Sequence, residues 1–169
     1  MNVPLWAAIP ALGFAIVAAQ ADVRTRKIPN SLTFPAVLLG LLTHLALGGR
    51  EGFLASLAGM AVVLVALIPG WLLRWMGAGD VKMMAAMGAW LAYPHAVIAL
   101  LASLIAGGVI AAVVALRRKA LGAAVRNTGF ALIWSFQRQS PAFFVSTGIR
   151  FPFALAILAG CAVASWVRT

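Results

Sequence analysis

The chain has little charge and almost no cysteine. Of its 169 residues only 9% are charged and 64% are hydrophobic. Soluble domains carry about 25% charged residues, so a soluble globule of this size is nearly excluded. The high apolar fraction also excludes a disordered chain, and the single cysteine, Cys161, excludes a scaffold held together by disulfides.

Acidic residues are scarcer still. Asp22, Glu51 and Asp80 stand against 13 lysines and arginines, which gives a formal net charge of +10. In a soluble domain this balance would suggest a nucleic-acid partner. Because apolar residues dominate here, a membrane protein with basic cytoplasmic loops explains the charge better, and no nucleic acid is expected.

Long apolar runs indicate membrane-spanning helices, each of which needs about 20 apolar residues. The sequence predicts an all-α, polytopic membrane protein with about six transmembrane helices in one domain, residues 1–169. The fourth run is too short to span alone, unless the preceding loop enters the membrane or the bilayer thins. The six runs are Val3–Ala21, Leu32–Leu47, Phe53–Leu73, Val81–Tyr93, Pro94–Leu116 and Phe151–Val167.

The basic residues predict the orientation. If the loop after the first run is cytoplasmic, all 13 lysines and arginines except Arg50 and Arg168 lie inside, in agreement with the positive-inside rule. The N-terminus is then outside, and the cytoplasmic loops are at about 22–31, 74–82 and 117–150.

Two segments could be mistaken for other elements. The N-terminal run has no basic stretch before it, as a secretory signal would have, so we expect a retained helix. The apolar stretch Phe130–Phe136 is short and flanked by basic residues. We interpret it as an interfacial helix rather than a further span.

The two aspartates are the most informative residues chemically. Asp22 and Asp80 each lie at the predicted cytoplasmic end of an apolar run, so the topology brings both to one face. A carboxylate close to the membrane is costly and usually marks a functional site or a buried partner. Two neighbouring carboxylates cannot easily both ionise, and such a pair can hold a water, one acting as base and one as acid. This predicts aspartic-protease chemistry and leaves open which aspartate keeps the proton.

Residues beside Asp80 support such a site. Gly77 and Gly79 would allow a positive φ and a close approach of the backbone. Lys82 could pair with a carboxylate or with a lipid phosphate. Taken alone, however, Asp80 could be an ordinary helix cap.

Other polar residues have plain interpretations. Asp22 alone could be a loop acid that pairs with Arg24 or Arg26, two residues that we otherwise expect to contact lipid headgroups. Asn30 is interpreted first as a helix cap and second as part of the site. His44 and His95 stand apart, with no cysteine or carboxylate at ligand spacing, so no metal is expected.

Two segments together resemble the motifs of a known family. The stretch Asp22–Asn30 (DVRTRKIPN) and the stretch Gly77–Lys82 (GAGDVK) are similar to the two signatures of the type IV prepilin peptidases, the GxGD-type intramembrane aspartic proteases. The chain length, the number of helices and the start of the last helix, Arg150–Ala154 (RFPFA), resemble the short branch that serves Flp/Tad-type pili.

The resemblance implies a function. It makes Asp22 and Asp80 the catalytic pair, needs no cofactor, and implies a prepilin or pseudopilin substrate that is cut at the cytoplasmic face of the bacterial inner membrane. Membrane lipids and the pilus assembly machinery are the other implied partners. Longer family members add a segment with a cysteine cluster that is associated with N-methylation, so methyltransferase activity is not expected here.

Two alternative functions fit part of the pattern. A small cation-coupled transporter would need acids near the bilayer midplane and inverted repeats, and neither is visible. A non-catalytic partner in pilus or secretion assembly could keep the fold but would not need the aspartate pair. We therefore predict a membrane-embedded aspartic endopeptidase.

Overall fold

The computed structural model describes residues 3–25, 28–73, 76–117 and 153–167. In these ranges the chain forms helices and no strand, which confirms the all-α prediction. The predicted interfacial stretch Phe130–Phe136 lies outside the described residues. The helices are α1 (Leu5–Thr25), α2 (Asn30–Leu72), α3 (Ala78–Leu91), α4 (His95–Arg117) and α5 (Phe153–Trp166).

The contacts divide the chain into two units. The first consists of Met1–Gly107 and Pro152–Thr169 and contains every residue of the site described below. The second is Gly108–Phe151, of which the structure describes the last part of α4.

Three helices in the described ranges are long and apolar enough to cross a membrane. They are α1, α2 and the part of α4 from His95 to Val114. The helices α3 and α5 have 14 residues each, or about 21 Å at 1.5 Å per residue, which is less than the roughly 30 Å of a bilayer core. Six transmembrane helices are therefore not confirmed, and the described residues contain three candidate spans.

The long helix α2 is interrupted once. Gly49 has φ 59° and ψ −151°, a conformation that is essentially open to glycine alone. It separates residues 30–48, the first half of α2, from residues 50–72, the second half. The two halves correspond to the second and third helices predicted from the sequence, although little loop remains between them.

Both halves of α2 contact the same end of α3. A Cβ atom on Gly40, in the first half, would lie 3.3 Å from the carbonyl carbon of Ala89. A Cβ atom on Gly59, in the second half, would lie 2.5 Å from the carbonyl oxygen of Gly88. A straight helix of 43 residues would be about 65 Å long, so the chain must turn back at Gly49 for both contacts to form.

The short helix α3 is enclosed by its neighbours. The chain is buried without interruption from Met83 to Ala92, and α3 packs against α1, α2 and α5. Met83, Met84 and Met87 are at most 2% exposed and are core residues. A short helix can lie at membrane depth when protein rather than lipid surrounds its ends.

Side chains from α2 also bond the C-terminal end of α3. The last carbonyl groups of a helix have no partner inside it and need one elsewhere. His44 Nε2 lies 2.9 Å from the carbonyl oxygen of Trp90. Ser56 Oγ donates to the carbonyl oxygen of Ala89 at 2.5 Å. Because His44 and Ser56 come from different halves of α2, the turn at Gly49 is needed for both bonds.

Candidate functional site

Asp22 lies in the last turn of α1, which continues to Thr25 instead of ending at Ala21 as predicted. Its side chain is half-buried. The C-terminal end of a helix carries partial negative charge, so α1 does not stabilise a carboxylate there. Asp22 Oδ2 instead accepts a hydrogen bond from the backbone N–H of Ala154, in the first turn of α5, with the nitrogen and oxygen 3.5 Å apart.

Asp80 lies in the first turn of α3 and is also half-buried. Its carboxylate accepts a hydrogen bond from the backbone N–H of Gly77, the N-cap residue of the helix. An acid three residues after the N-cap makes the same bond in a capping box. The cap therefore fixes the position of the Asp80 side chain at the start of α3.

Asp22 and Asp80 lie near enough for the charge of Asp22 to act on Asp80, although they are far apart in the sequence. Burial, and to a lesser degree the negative charge of Asp22, raise the pKa of Asp80 and the bond from Gly77 lowers it; the net effect is a rise from 3.8 to about 6. A neighbouring acid has this effect because two adjacent carboxylates resist carrying two charges. A pair that keeps one proton can act as base and acid on the same water.

The two glycines before Asp80 act through their small size. The positive φ expected at these positions is not found, because Gly77 has φ −74° and Gly79 is part of α3. A Cβ atom on Gly77 would lie 3.2 Å from Asp80 Oδ2, and one on Gly79 would lie 3.4 Å from Cβ of Ile28. Gly77 thus leaves room for the carboxylate, and Gly79 lies beside the segment after α1 with room for an ordinary contact.

Lys82 and Asn30 bond to each other. Lys82 Nζ donates to Asn30 Oδ1 at 3.1 Å and lies 5.8 Å from the centre of the Phe34 ring, within cation–π range. Among the described residues Lys82 thus pairs with an amide and not with a carboxylate, and its predicted contact with a lipid phosphate stays a prediction. The cap predicted for Asn30 is wrong, since Pro29 is the N-cap of α2 and no side chain caps that end.

Arg24 is exposed in the last turn of α1, where a cation suits the helix dipole. The sequence predicted no role at the site for Ala154 or Ile28, although both lie beside it in the structure. Pro152 does signal the start of a helix, but a donating backbone N–H has no residue signature.

Among the described residues no group of three or more His, Cys, Asp or Glu could hold a metal ion.

Comparisons with known proteins match somewhat more than half of the chain. The family model of the type IV leader peptidase family matches residues 9–112. A prepilin leader peptidase/N-methyltransferase of Pectobacterium carotovorum subsp. carotovorum is 33% identical over 100 residues, which cover 53% of this chain and 34% of that protein. A protein of the same name from Klebsiella pneumoniae is 30% identical over 106 residues, covering 54% and 43%. This chain thus spans less than half the length of either relative. No solved structure matches it significantly.

Proposed function

Because the chain belongs to the type IV leader peptidase family, we propose that it is a membrane-embedded aspartic endopeptidase that removes the leader peptide from prepilins or pseudopilins. The observation that carries this proposal is the pairing of Asp22 with Asp80. They are the chain's two aspartates, they come from different helices, and the charge of one affects the pKa of the other.

The proposed reaction consumes one water. The ionised aspartate takes a proton from the water as the water oxygen attacks the scissile carbonyl carbon, and the protonated aspartate gives its proton to the carbonyl oxygen. The C–N bond then breaks. The leaving nitrogen accepts the first proton, and a hydroxyl of the tetrahedral intermediate returns a proton to the second aspartate. The products are a carboxylic acid and an amine, and the pair regains its single proton.

The proposed substrate is a precursor with a short basic leader and an apolar helix. The helix would lie among the transmembrane helices, and the leader would remain in the cytoplasm beside Asp22 and Asp80. We propose precursors of the Flp/Tad type, in the bacterial inner membrane. Arg24 and Lys82, near the two aspartates in sequence, would contact lipid headgroups at that face.

The proposal covers the peptidase activity alone. The printed names of both relatives also include N-methyltransferase. The resemblance associates methylation with a cysteine-containing segment, whereas the only cysteine in this sequence is Cys161 in α5. Incubating the processed pilin with a methyl donor and weighing the product would test this restriction.

A cleavage assay tests the peptidase. The purified protein, in detergent or in membranes, is mixed with a Flp-type prepilin, and the product is identified by its mass. We expect the wild type to release the leader, whereas Asp22→Asn and Asp80→Asn insert normally but release none. Glu51→Gln is the matched control, because Glu51 is an exposed acid beside the turn at Gly49 and is expected to be dispensable.

Each alternative function predicts a different result, either in this cleavage assay or in a flux measurement. Turnover by either pure asparagine variant would contradict the aspartic mechanism. If the wild type leaves a well-inserted precursor intact but co-purifies with pilus assembly proteins, a non-catalytic assembly role replaces the proposal. Cation flux in proteoliposomes that depends on both aspartates would indicate the transporter.

A further inference from the structure

The start of α5 contributes a group to the aspartate site. The backbone N–H of Ala154 donates to Asp22 Oδ2, although the family match ends at residue 112. The first N–H groups of a helix have no partner within it. In α5 one of them is used by a carboxylate from α1, and Ala154 itself is fully buried.

We infer that Ala154 is a positioning residue whose backbone N–H orients the Asp22 carboxylate toward Asp80, which makes α5 a part of the catalytic site. The inference rests on the proposed function. Its physical basis is the location of Asp22 at the negative end of the α1 dipole, where its charge is disfavoured. The N-terminus of α5 supplies the positive end and a directed donor. The bond therefore offsets an unfavourable placement and fixes the direction of the carboxylate.

The position of α5 does not depend on this bond. A Cβ atom on Gly160 would lie 2.5 Å from the carbonyl oxygen of Ala99 in α4, so the two backbones approach closely. A Cβ atom on Gly107 of α4 would likewise lie 2.5 Å from the Phe153 ring. The helix α5 also packs along α1. Because other contacts hold the helix, its N–H is already in place when the reaction begins, as an effective catalytic donor must be.

Three groups act on or near Asp22. Its charge acts on Asp80 of α3, Arg24 follows it on α1, and α5 contributes the N–H of Ala154. Removal of the donor would leave the carboxylate without a partner on α5 to fix its direction. Because a misplaced catalytic group costs rate, kcat should fall while KM changes little.

Two substitutions at Ala154 separate the N–H from the side chain. Ala154→Pro removes the N–H and costs no bond within the helix, because this position is in the first turn. We expect kcat to fall about tenfold with KM little changed. Ala154→Gly keeps the N–H and is expected to keep the wild-type kcat. A folded proline variant with the wild-type kcat would overturn the inference.

A measurement on the wild type keeps the inference testable if the proline variant does not fold. The chain has two aspartates, so labelling the side-chain carboxyl carbon of aspartate gives two NMR signals, and Asp22→Asn identifies one of them. We expect the amide shift of Ala154 to change with pH at the same midpoint as the Asp22 carboxyl signal and to lose this change in Asp22→Asn. An amide shift that stays constant while Asp22 titrates would overturn the inference.

This readout needs no substrate, which keeps the two hypotheses separate. A constant Ala154 amide shift, combined with complete loss of cleavage in both asparagine variants, would reject the positioning role and leave the proposed function standing. Cleavage by the asparagine variants would reject the proposed function, whatever the amide shift does.

Discussion

Asp80 is subject to opposing influences on its charge. The hydrogen bond from Gly77 and its place in the first turn of α3 favour the carboxylate. Burial and the neighbouring Asp22 disfavour it more strongly, so the pKa of Asp80 rises to about 6. Groups with such shifts concentrate at functional sites, where a proton must be held near the working pH. Asp80 thus suits a proton-donating role better than an exposed aspartate would.

The same shift predicts that Asp80→Asn stabilises the fold above pH 6. The folded state binds the proton more tightly than the unfolded state, whose aspartate has an ordinary pKa of 3.8. The stabilisation that the protonation of Asp80 contributes is therefore fully present below pH 4 and is lost as the pH rises through about 6. Asparagine never ionises and avoids this loss, which we expect to be about 1–2 kcal/mol after allowing for partial exposure.

Thermal unfolding in detergent checks this expectation. The melting temperature of Asp80→Asn should exceed that of the wild type at pH 7.5, and the difference should vanish near pH 4. Glu51→Gln, which removes an exposed acid, should show no such pattern. A wild type that is equally stable at both pH values would contradict the prediction.

Gly77 and Gly79 are expected to differ in their tolerance of a methyl group. Gly77→Ala places a Cβ atom 3.2 Å from Asp80 Oδ2, so the carboxylate must shift. Because small displacements of catalytic groups are costly, we expect kcat of the proposed cleavage to fall by about tenfold or more. Gly79→Ala brings its Cβ atom to 3.4 Å from Ile28, an ordinary contact, and should have much less effect.

The prepilin cleavage assay, together with the melting temperature, distinguishes these outcomes. Both variants should melt close to the wild type, since Gly77 has an extended backbone that any residue can adopt. Equal activity of the two variants would show that the space beside Asp80 is not critical.

At the scale of helices, the sequence predicted local features well. The apolar runs located the five helices of the described residues, and the gap between the second and third runs, Leu47 to Phe53, contains the turn at Gly49. Helix ends were less accurate, because Asp22 and its neighbours through Thr25 continue α1 as polar residues. The contacts between helices could not be read at all, since the bond from His44 to Trp90 depends on how α2 turns back.

At the candidate site, too, the residues could be predicted from the sequence but the contacts between helices could not. The two aspartates could be identified because acids are rare in an apolar chain and both lie at the ends of apolar runs. The bond from Lys82 to Asn30 and the donor at Ala154 could not, because both depend on distances across helices. The cap assigned to Asn30 failed because Asn30 is itself the first helical residue of α2.

The contact between α2 and α3 requires glycine on both sides. A Cβ atom on Gly59 would lie 2.5 Å from the Gly88 oxygen, and one on Gly88 would lie 2.8 Å from the Gly59 oxygen. Backbone atoms cannot rotate away, so the helices must separate. We expect Gly59→Ala and Gly88→Ala each to destabilise the protein by about 1–3 kcal/mol.

Gly13→Ala is the matched control for these substitutions. Gly13 also lies inside a helix but has no atom within 4 Å of its virtual Cβ. Alanine there should be neutral or stabilising by up to about 1 kcal/mol, because glycine is a poor helix former. Thermal unfolding of the three variants checks the comparison, and similar losses in all three would mean that helix packing is not the cause.

For the whole molecule, the surface and the charge distribution point to lipid. Large apolar side chains are exposed along the helices, including Leu5, Val65 and Ile105 at 69–74%. Soluble monomers rarely expose contiguous apolar surface on this scale. The core is small by comparison and is built mostly of alanine, glycine and methionine around α3. Small residues allow the close helix approach that stabilises packing in lipid.

The orientation of the molecule in the membrane follows from charge and can be tested with two cysteine variants. Cys161 is buried, and replacing it with alanine gives a background without cysteine. Ser31→Cys and Gly48→Cys then place one exposed thiol at each end of the first half of α2. In the six-helix topology predicted from the sequence, all basic residues but Arg50 and Arg168 fall on the side of Ser31, so the positive-inside rule predicts that this end is cytoplasmic. An impermeant maleimide added outside intact cells should label Gly48→Cys and spare Ser31→Cys until the membrane is opened. The reverse pattern would place Asp22 and Asp80 outside, away from a cytoplasmic leader peptide, and would contradict both the orientation and the proposed site of cleavage.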